Sequence, residues 1–119
     1  MQFERLPNYL RSARKHCGLS QKELARLLGT LNANPVSRYE KFTRTPSLET
    51  ALLLEAVLGE PVQELFAGLY EQARKRAQER AATLLRDLEK AEPDASTAIK
   101  REVLKRIAEV RDSNTNHDL

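Results

Sequence analysis

The amino-acid sequence predicts an all-α fold: five short helices closing into one bundle, then an extension of one long and one shorter helix. Three observations predict it. Leucine and alanine are abundant and aromatic residues make up only 5% of the chain, a composition that keeps rotamer freedom in helices. Apolar residues recur every three or four positions. Residues that start and stop helices bracket segments of helical length, as Ser20 with Gly29 and Ser47 with Gly59. At 119 residues the chain suits one domain, or one domain with an extension, and a modest core rather than a large catalytic cavity.

The first helix is expected from Leu6 or Pro7 to His16. Proline suits the first turn, where its missing N–H is no loss. Leu6, Leu10 and Ala13 would face the core, and Gly18 would stop the helix. Ser20 reads as an N-cap with Glu23 three residues later, the capping-box spacing. The second helix would turn Leu24, Leu27 and Leu28 inward, keep Ala25 small at a close approach, and end at Gly29. After the polar link Thr30-Leu31-Asn32-Ala33, Asn34 can cap a third helix with Pro35 in its first position. That helix is short, from Pro35 to about Phe42. Val36, Tyr39 and Phe42 are its buried candidates; Ser37, Arg38 and Lys41 are left for the outer face. Ser47 caps a fourth helix so apolar on most sides, from Leu48 through Leu52 and Leu54 to Leu58, that it is expected to be central and buried. Gly59 and Pro61 separate it from a fifth with Val62, Leu65 and Phe66, and the core is expected to close near Gly68.

Residues 1–68 are therefore expected to be one domain and residues 69–112 a helical extension. Leu69, Ala73, Ala77, Ala81, Leu84, Leu88 and Ala91 step along a charged segment without Gly or Pro, an amphipathic pattern. Pro93 breaks it, Asp94 or Ser96 can cap the next helix, and Ile99, Val103, Ile107 and Val110 form the last stripe. Residues 113–119 read as a disordered tail.

Charge is unevenly distributed. The net charge is only +3, yet residues 5–44 hold nine Lys or Arg against two acids, Glu23 and Glu40. Residues 45–70 hold four acids and no base. Concentrated positive charge suits a polyanion, because neutralising phosphates releases counterions. Other classes find little support. There is no nucleophile–base pattern, no paired carboxylates on an apolar face and no phosphate-cradling glycine loop, so an enzyme is not expected. His16, Cys17 and His117 match no ligand spacing, so neither a metal nor another cofactor is expected. Cys17 is expected to be a semi-buried small apolar residue, and Tyr9, Tyr39 and Tyr70 to pack with exposed hydroxyls. No run of apolar residues is long enough for a membrane span, and the N-terminus lacks a signal pattern. With a single cysteine, a reducing cytoplasm is the expected setting.

The informative feature is the pair of short helices joined by a glycine-containing turn. Such a pair can place its second helix in the major groove of duplex DNA. Groove-facing residues must then be polar and forked, as Asn34, Ser37 and Arg38 are: Arg pairs bidentately with guanine and Asn with adenine. Gln21, Lys41 and Arg44 are placed to hold phosphates, and backbone amides at the start of the second helix could add an anion site.

Taken in order, Gly18-Leu19-Ser20-Gln21-Lys22-Glu23-Leu24-Ala25, Leu28-Gly29, Val36-Ser37-Arg38-Tyr39-Glu40, Pro46-Ser47-Leu48-Glu49-Thr50, Leu58-Gly59 and Glu64-Leu65-Phe66 resemble the XRE family, the lambda-repressor-like helix-turn-helix proteins. The resemblance covers about Leu6 to Gly68. It implies a five-helix bundle that binds operator DNA, commonly as a dimer. It also implies that Gln21 grips a phosphate and that Arg14 pairs with Glu40 in a structural ion pair pinning the first helix to the third. Two departures stand out. Six residues separate Gly29 from Val36, one more than the family pattern, which leaves Asn32, Asn34, Ser37 and Arg38 all open as base readers. Phe42 stands where a helix-ending glycine is usual, and is expected to pack on the core, with an apolar contact to the DNA backbone as the other reading.

The expected function is sequence-specific regulation of transcription, by repression at a palindromic operator. The extension would dimerise the chain through Leu84, Leu88, Ile99, Val103 and Ile107, since exposed apolar stripes rarely go uncovered. The alternative is an antitoxin-type interaction module whose C-terminal helices clamp a partner protein.

Overall fold

The structure, a computed structural model, describes residues 8–109. The expectations for Leu6, Pro7, Val110 and the tail at 113–119 lie outside the described residues. Seven helices and no strand occur among those described. The chain divides into two compact units between Glu71 and Gln72.

The first unit is built on α1 (Leu10–His16), α2 (Gln21–Leu28), α3 (Asn34–Glu40), α4 (Leu48–Leu58) and α5 (Val62–Leu65), and takes in the start of α6 (Ala67–Leu88). Each of the five short helices contributes one fully buried side chain: Leu10, Leu24, Val36, Leu54 and Leu65. Burying each stabilises by about 1.5–3 kcal/mol. Ala25, Tyr39, Leu58 and Phe66 complete the core, and Leu69 packs against it. Local signals set the ends of the helices. At α2, the Ser20 hydroxyl accepts the Glu23 N–H at 3.0 Å and the Glu23 carboxylate accepts the Ser20 N–H at 2.9 Å. Gly29 then takes a left-handed φ of 83°, a conformation glycine enters without the Cβ penalty. Ser47 caps α4 through the Thr50 N–H.

Several expectations are corrected. The first helix does not include residues 8 and 9: it begins at Leu10, where the Asn8 side-chain oxygen accepts the Leu10 N–H at 2.9 Å. The third helix ends at Glu40, not Phe42. The fourth is not buried on all sides. Ala51, Leu54 and Leu58 face the core, whereas Leu48, Leu52 and Leu53 are exposed; the neighbouring helices cover one stripe, and composition alone cannot show which. Leu27 is exposed for the same reason: on α2 the inward stripe is Leu24, Ala25 and the half-buried Leu28. Gly68 does lie where the core ends, between Phe66 and Leu69. It lies buried in the first turn of α6, where Gly instead of Ala costs about 1 kcal/mol, too little to break a helix anchored by Phe66 and Leu69 in the core. Cys17 is exposed at the end of α1 rather than semi-buried. Tyr9 and Tyr70 are likewise exposed, and of the three tyrosines only Tyr39 belongs to the core.

The second unit holds the rest of α6 and α7 (Thr97–Glu109). Asp94 and Thr97 hold the start of α7 reciprocally. The Asp94 carboxylate accepts the Ser96 N–H and hydroxyl, each at 2.9 Å, while the Thr97 hydroxyl accepts the Asp94 N–H at 2.7 Å. The Ser96 hydroxyl, and then the Ser96 N–H and Thr97, hold the Asp94 carboxyl below its ordinary range. Gln78, Ala81 and Thr97 are buried. Leu84, Ile99 and Val103 are exposed, and Leu88 and Ile107 half-buried. No described helix is long and apolar enough to cross a membrane.

Candidate nucleic-acid interface

α3 is short, so its position depends on what holds it. From below, Val36 and Tyr39 enter the core beside Leu24 and Ala25 of α2. At its C-terminal end, Glu40 turns inward to Arg14 of α1. Arg14 Nε donates to Glu40 Oε2 at 2.6 Å and Nη2 to Oε1 at 3.3 Å. The side chains keep 8% and 4% of their exposure, so the pair is desolvated. Arg14 Nη1 donates to the Leu19 carbonyl at 2.8 Å, and Gln21 Nε2 donates to Glu40 Oε1 at 3.0 Å. A buried ion pair needs such additional bonds, because desolvation offsets much of the Coulomb gain. The Asn8 amide adds a further tie, donating to the Tyr39 carbonyl at 2.8 Å. α1 and the start of α2 therefore grip the same end of α3.

The turn before α3 is equally well defined. The Thr30 N–H and hydroxyl both donate to the Ala25 carbonyl, at 3.0 and 3.1 Å. Asn32 Oδ1 accepts the Asn34 N–H at 2.9 Å. Asn34 is not the cap: Ala33 holds the N-cap position, Asn34 is the first helical residue and Pro35 the second. With the Asn32 carboxamide accepting there, the Asn34 side chain is left exposed.

Beyond α3, Phe42 adopts a left-handed φ of 57° and is half-buried outside the core cluster. It neither lengthens the helix nor enters the core; it takes the conformation that a terminal glycine would take. The Thr43 N–H and hydroxyl then close on the Arg38 carbonyl, at 2.9 and 3.3 Å.

These constraints leave a polar, basic surface. Asn32, Asn34, Arg38, Lys41 and Arg44 are exposed, and Ser37 and Gln21 half-buried. The Arg44 guanidinium lies 5.9 Å from the centre of the Tyr39 ring. The single acid of α3, Glu40, is withdrawn into its pair with Arg14, so it presents no free carboxylate to a polyanion. At the start of α2, Glu23's own carboxylate and the Ser20 hydroxyl occupy the amides of Ser20 and Glu23. No group of three or more His, Cys, Asp or Glu among the described residues is arranged to hold a metal.

Sequence reasoning missed two features of this region, the Asn8 bond to α3 and the exposure of Leu31. Asn8 carried a usable signal, since asparagine is favoured just outside helix starts. Leu31 did not: a leucine in a linker gives no hint that it is fully exposed.

Residues 10–65 match the family model described as Helix-turn-helix. No match was found among curated proteins or among solved structures. The matched segment runs from the first residue of α1 to the last of α5 and encloses the braced α2–α3 pair. By this match and this geometry, the N-terminal unit belongs to the XRE, lambda-repressor-like helix-turn-helix family, a family of DNA-binding transcription regulators.

Proposed function

We propose that the protein is a sequence-specific repressor that binds a palindromic operator as a homodimer, with α3 in the major groove. The observation that carries this reading is α3 itself: held by α1 and α2, with Asn34 and Arg38 exposed and its one carboxylate neutralised. Arg38 and Asn34 are assigned to base edges, with Ser37 beside them. Asn32 contributes less, because its side-chain oxygen already holds the Asn34 N–H. Lys41 and Arg44 are assigned to phosphates. So is Gln21, whose second amide proton remains available beside its bond to Glu40. Repression needs only that the bound protein occupy a promoter, with no further contact. The proposed setting is the cytoplasm, where such a promoter lies.

Binding to the gene's own promoter, compared with random duplex at two salt concentrations, tests the reading. Tighter binding to the promoter at both salts supports it; equal affinity for both duplexes refutes a specific regulator.

Dimerisation is assigned to the second unit, through Leu84, Leu88, Ile99, Val103 and Ile107. Three of these are exposed, and an uncovered apolar stripe favours association. Two-fold symmetry would match two half-sites one helical turn apart. The same exposed stripe supports a second reading, an antitoxin-type module that clamps a partner protein. Light scattering on the full chain separates the two: a dimer made monomeric by Ile99→Asp supports the first, and a monomer at micromolar concentration the second.

A further inference from the structure

Leu31 is 101% exposed, more than any other large apolar side chain among the described residues. It does not hang from a loose loop. On one side, Thr30 is bound to the Ala25 carbonyl through both its N–H and its hydroxyl. The Thr30 hydroxyl also lies 3.1 Å from the Asn32 carbonyl, spanning Leu31 itself. On the other side, Asn32 is bound to the Asn34 N–H. The backbone thus holds the leucine outward, at a site where a flexible turn could fold it back onto the bundle.

Its surroundings narrow what could cover it. From Leu24 to Tyr39 the chain contains two charged residues, Arg26 and Arg38, and no acid. Leu31 stands three residues ahead of the first residue of α3, next to the end of the helix that reaches base edges when such a helix enters the groove. In the major groove one base, thymine, presents an apolar group, its C5-methyl. The other base edges present polar groups, and an apolar contact to the sugars would not distinguish one base from another.

We propose that Leu31 is a specificity-determining residue that packs on a thymine methyl in each half-site of the bound DNA. The proposal rests on α3 entering the major groove, as set out above.

The test begins by selecting bound duplexes from a random pool with the full chain. Affinities are then measured on the selected site with each thymine replaced in turn by deoxyuridine, which lacks only the methyl. For the wild type, one thymine per half-site should be sensitive, by about fourfold for a methyl removed from an apolar contact. Leu31→Ala should bind the selected site more weakly and no longer distinguish thymine from deoxyuridine there. Leu31→Ile should keep the distinction. Unchanged thymine-to-deoxyuridine ratios in Leu31→Ala would overturn the proposal, as would a loss spread evenly over all duplexes or a change in oligomeric state instead. A wild type that selects no duplex would overturn the groove-binding reading as well. Leu31 is outside the core, so thermal melts of the variants should match the wild type; a lowered melting temperature would count against the proposal by giving Leu31 a structural role.

Discussion

The Arg14 guanidinium and the Glu40 carboxylate meet through two hydrogen bonds, 26 positions apart, and join the first helix to the end of the third. Gln21 of α2 adds a bond to the same carboxylate. A seven-residue helix has little stability of its own, since nucleation is unfavourable and isolated short helices are marginal in water. The orientation of α3 therefore depends on helices that precede it in the chain, and the group that connects them is also the one acid that would otherwise repel phosphates from α3.

Breaking this pair should be expensive. Arg14→Met or Glu40→Leu alone leaves a buried unpaired charge and should cost about 3–5 kcal/mol. The double substitution should cost clearly less than the sum of the two. Urea unfolding of the three variants measures the coupling; single effects that add to within about 0.5 kcal/mol would show no interaction between the two residues.

Phe42 gives a backbone prediction. Holding a residue with a Cβ in the left-handed region costs roughly 1–2 kcal/mol that glycine avoids. Phe42→Gly and Phe42→Ala both lose the half-buried ring, so the ring cancels between them. Phe42→Gly should be more stable than Phe42→Ala by about 1 kcal/mol, read from their denaturation midpoints. Equal midpoints would mean that position 42 is not left-handed in solution.

Arg38 and Lys41, three residues apart on the exposed side, should behave differently on DNA. Arg38→Ala should lose about 1–3 kcal/mol on the preferred site and relax the choice of base at one position. Lys41→Ala should weaken binding about equally on every duplex and lower the salt slope by about 1. Anisotropy titrations on specific and random duplexes at several salt concentrations separate the two patterns.

In the second unit, Asp94 should impose an acid-dependent step on the start of α7. Its carboxyl is held below the ordinary value of 3.8, chiefly by the Ser96 hydroxyl. A depressed folded-state value stabilises the folded form above the unfolded value, and that contribution is lost as pH falls through the folded one. The Ser96 and Thr97 amide resonances should therefore shift as pH drops below 3.8. Asp94→Asn should remove the step while leaving the rest of the spectrum in place.

What the sequence alone determined lies mostly at helix ends and in short-range patterns. Ser20 with Glu23, Gly29, Ser47 and Gly59 act through hydrogen bonds and backbone conformations that span a few residues. The helices therefore occur where these signals put them. The residues of α3 were legible for a related reason: Val36 and Tyr39 repeat at helical spacing, so Ser37, Arg38 and Lys41 are left for the other side, where Arg38 and Lys41 are exposed and Ser37 half-buried. The tertiary structure alone decided which stripe of a uniformly apolar helix is covered. Leu54 is buried and Leu52 exposed on α4 because of where α2 and α5 lie, which no local feature of α4 encodes. It also decided that Gln21 reaches Glu40, 19 positions away, a meeting that requires the assembled core and that no span of a few residues contains.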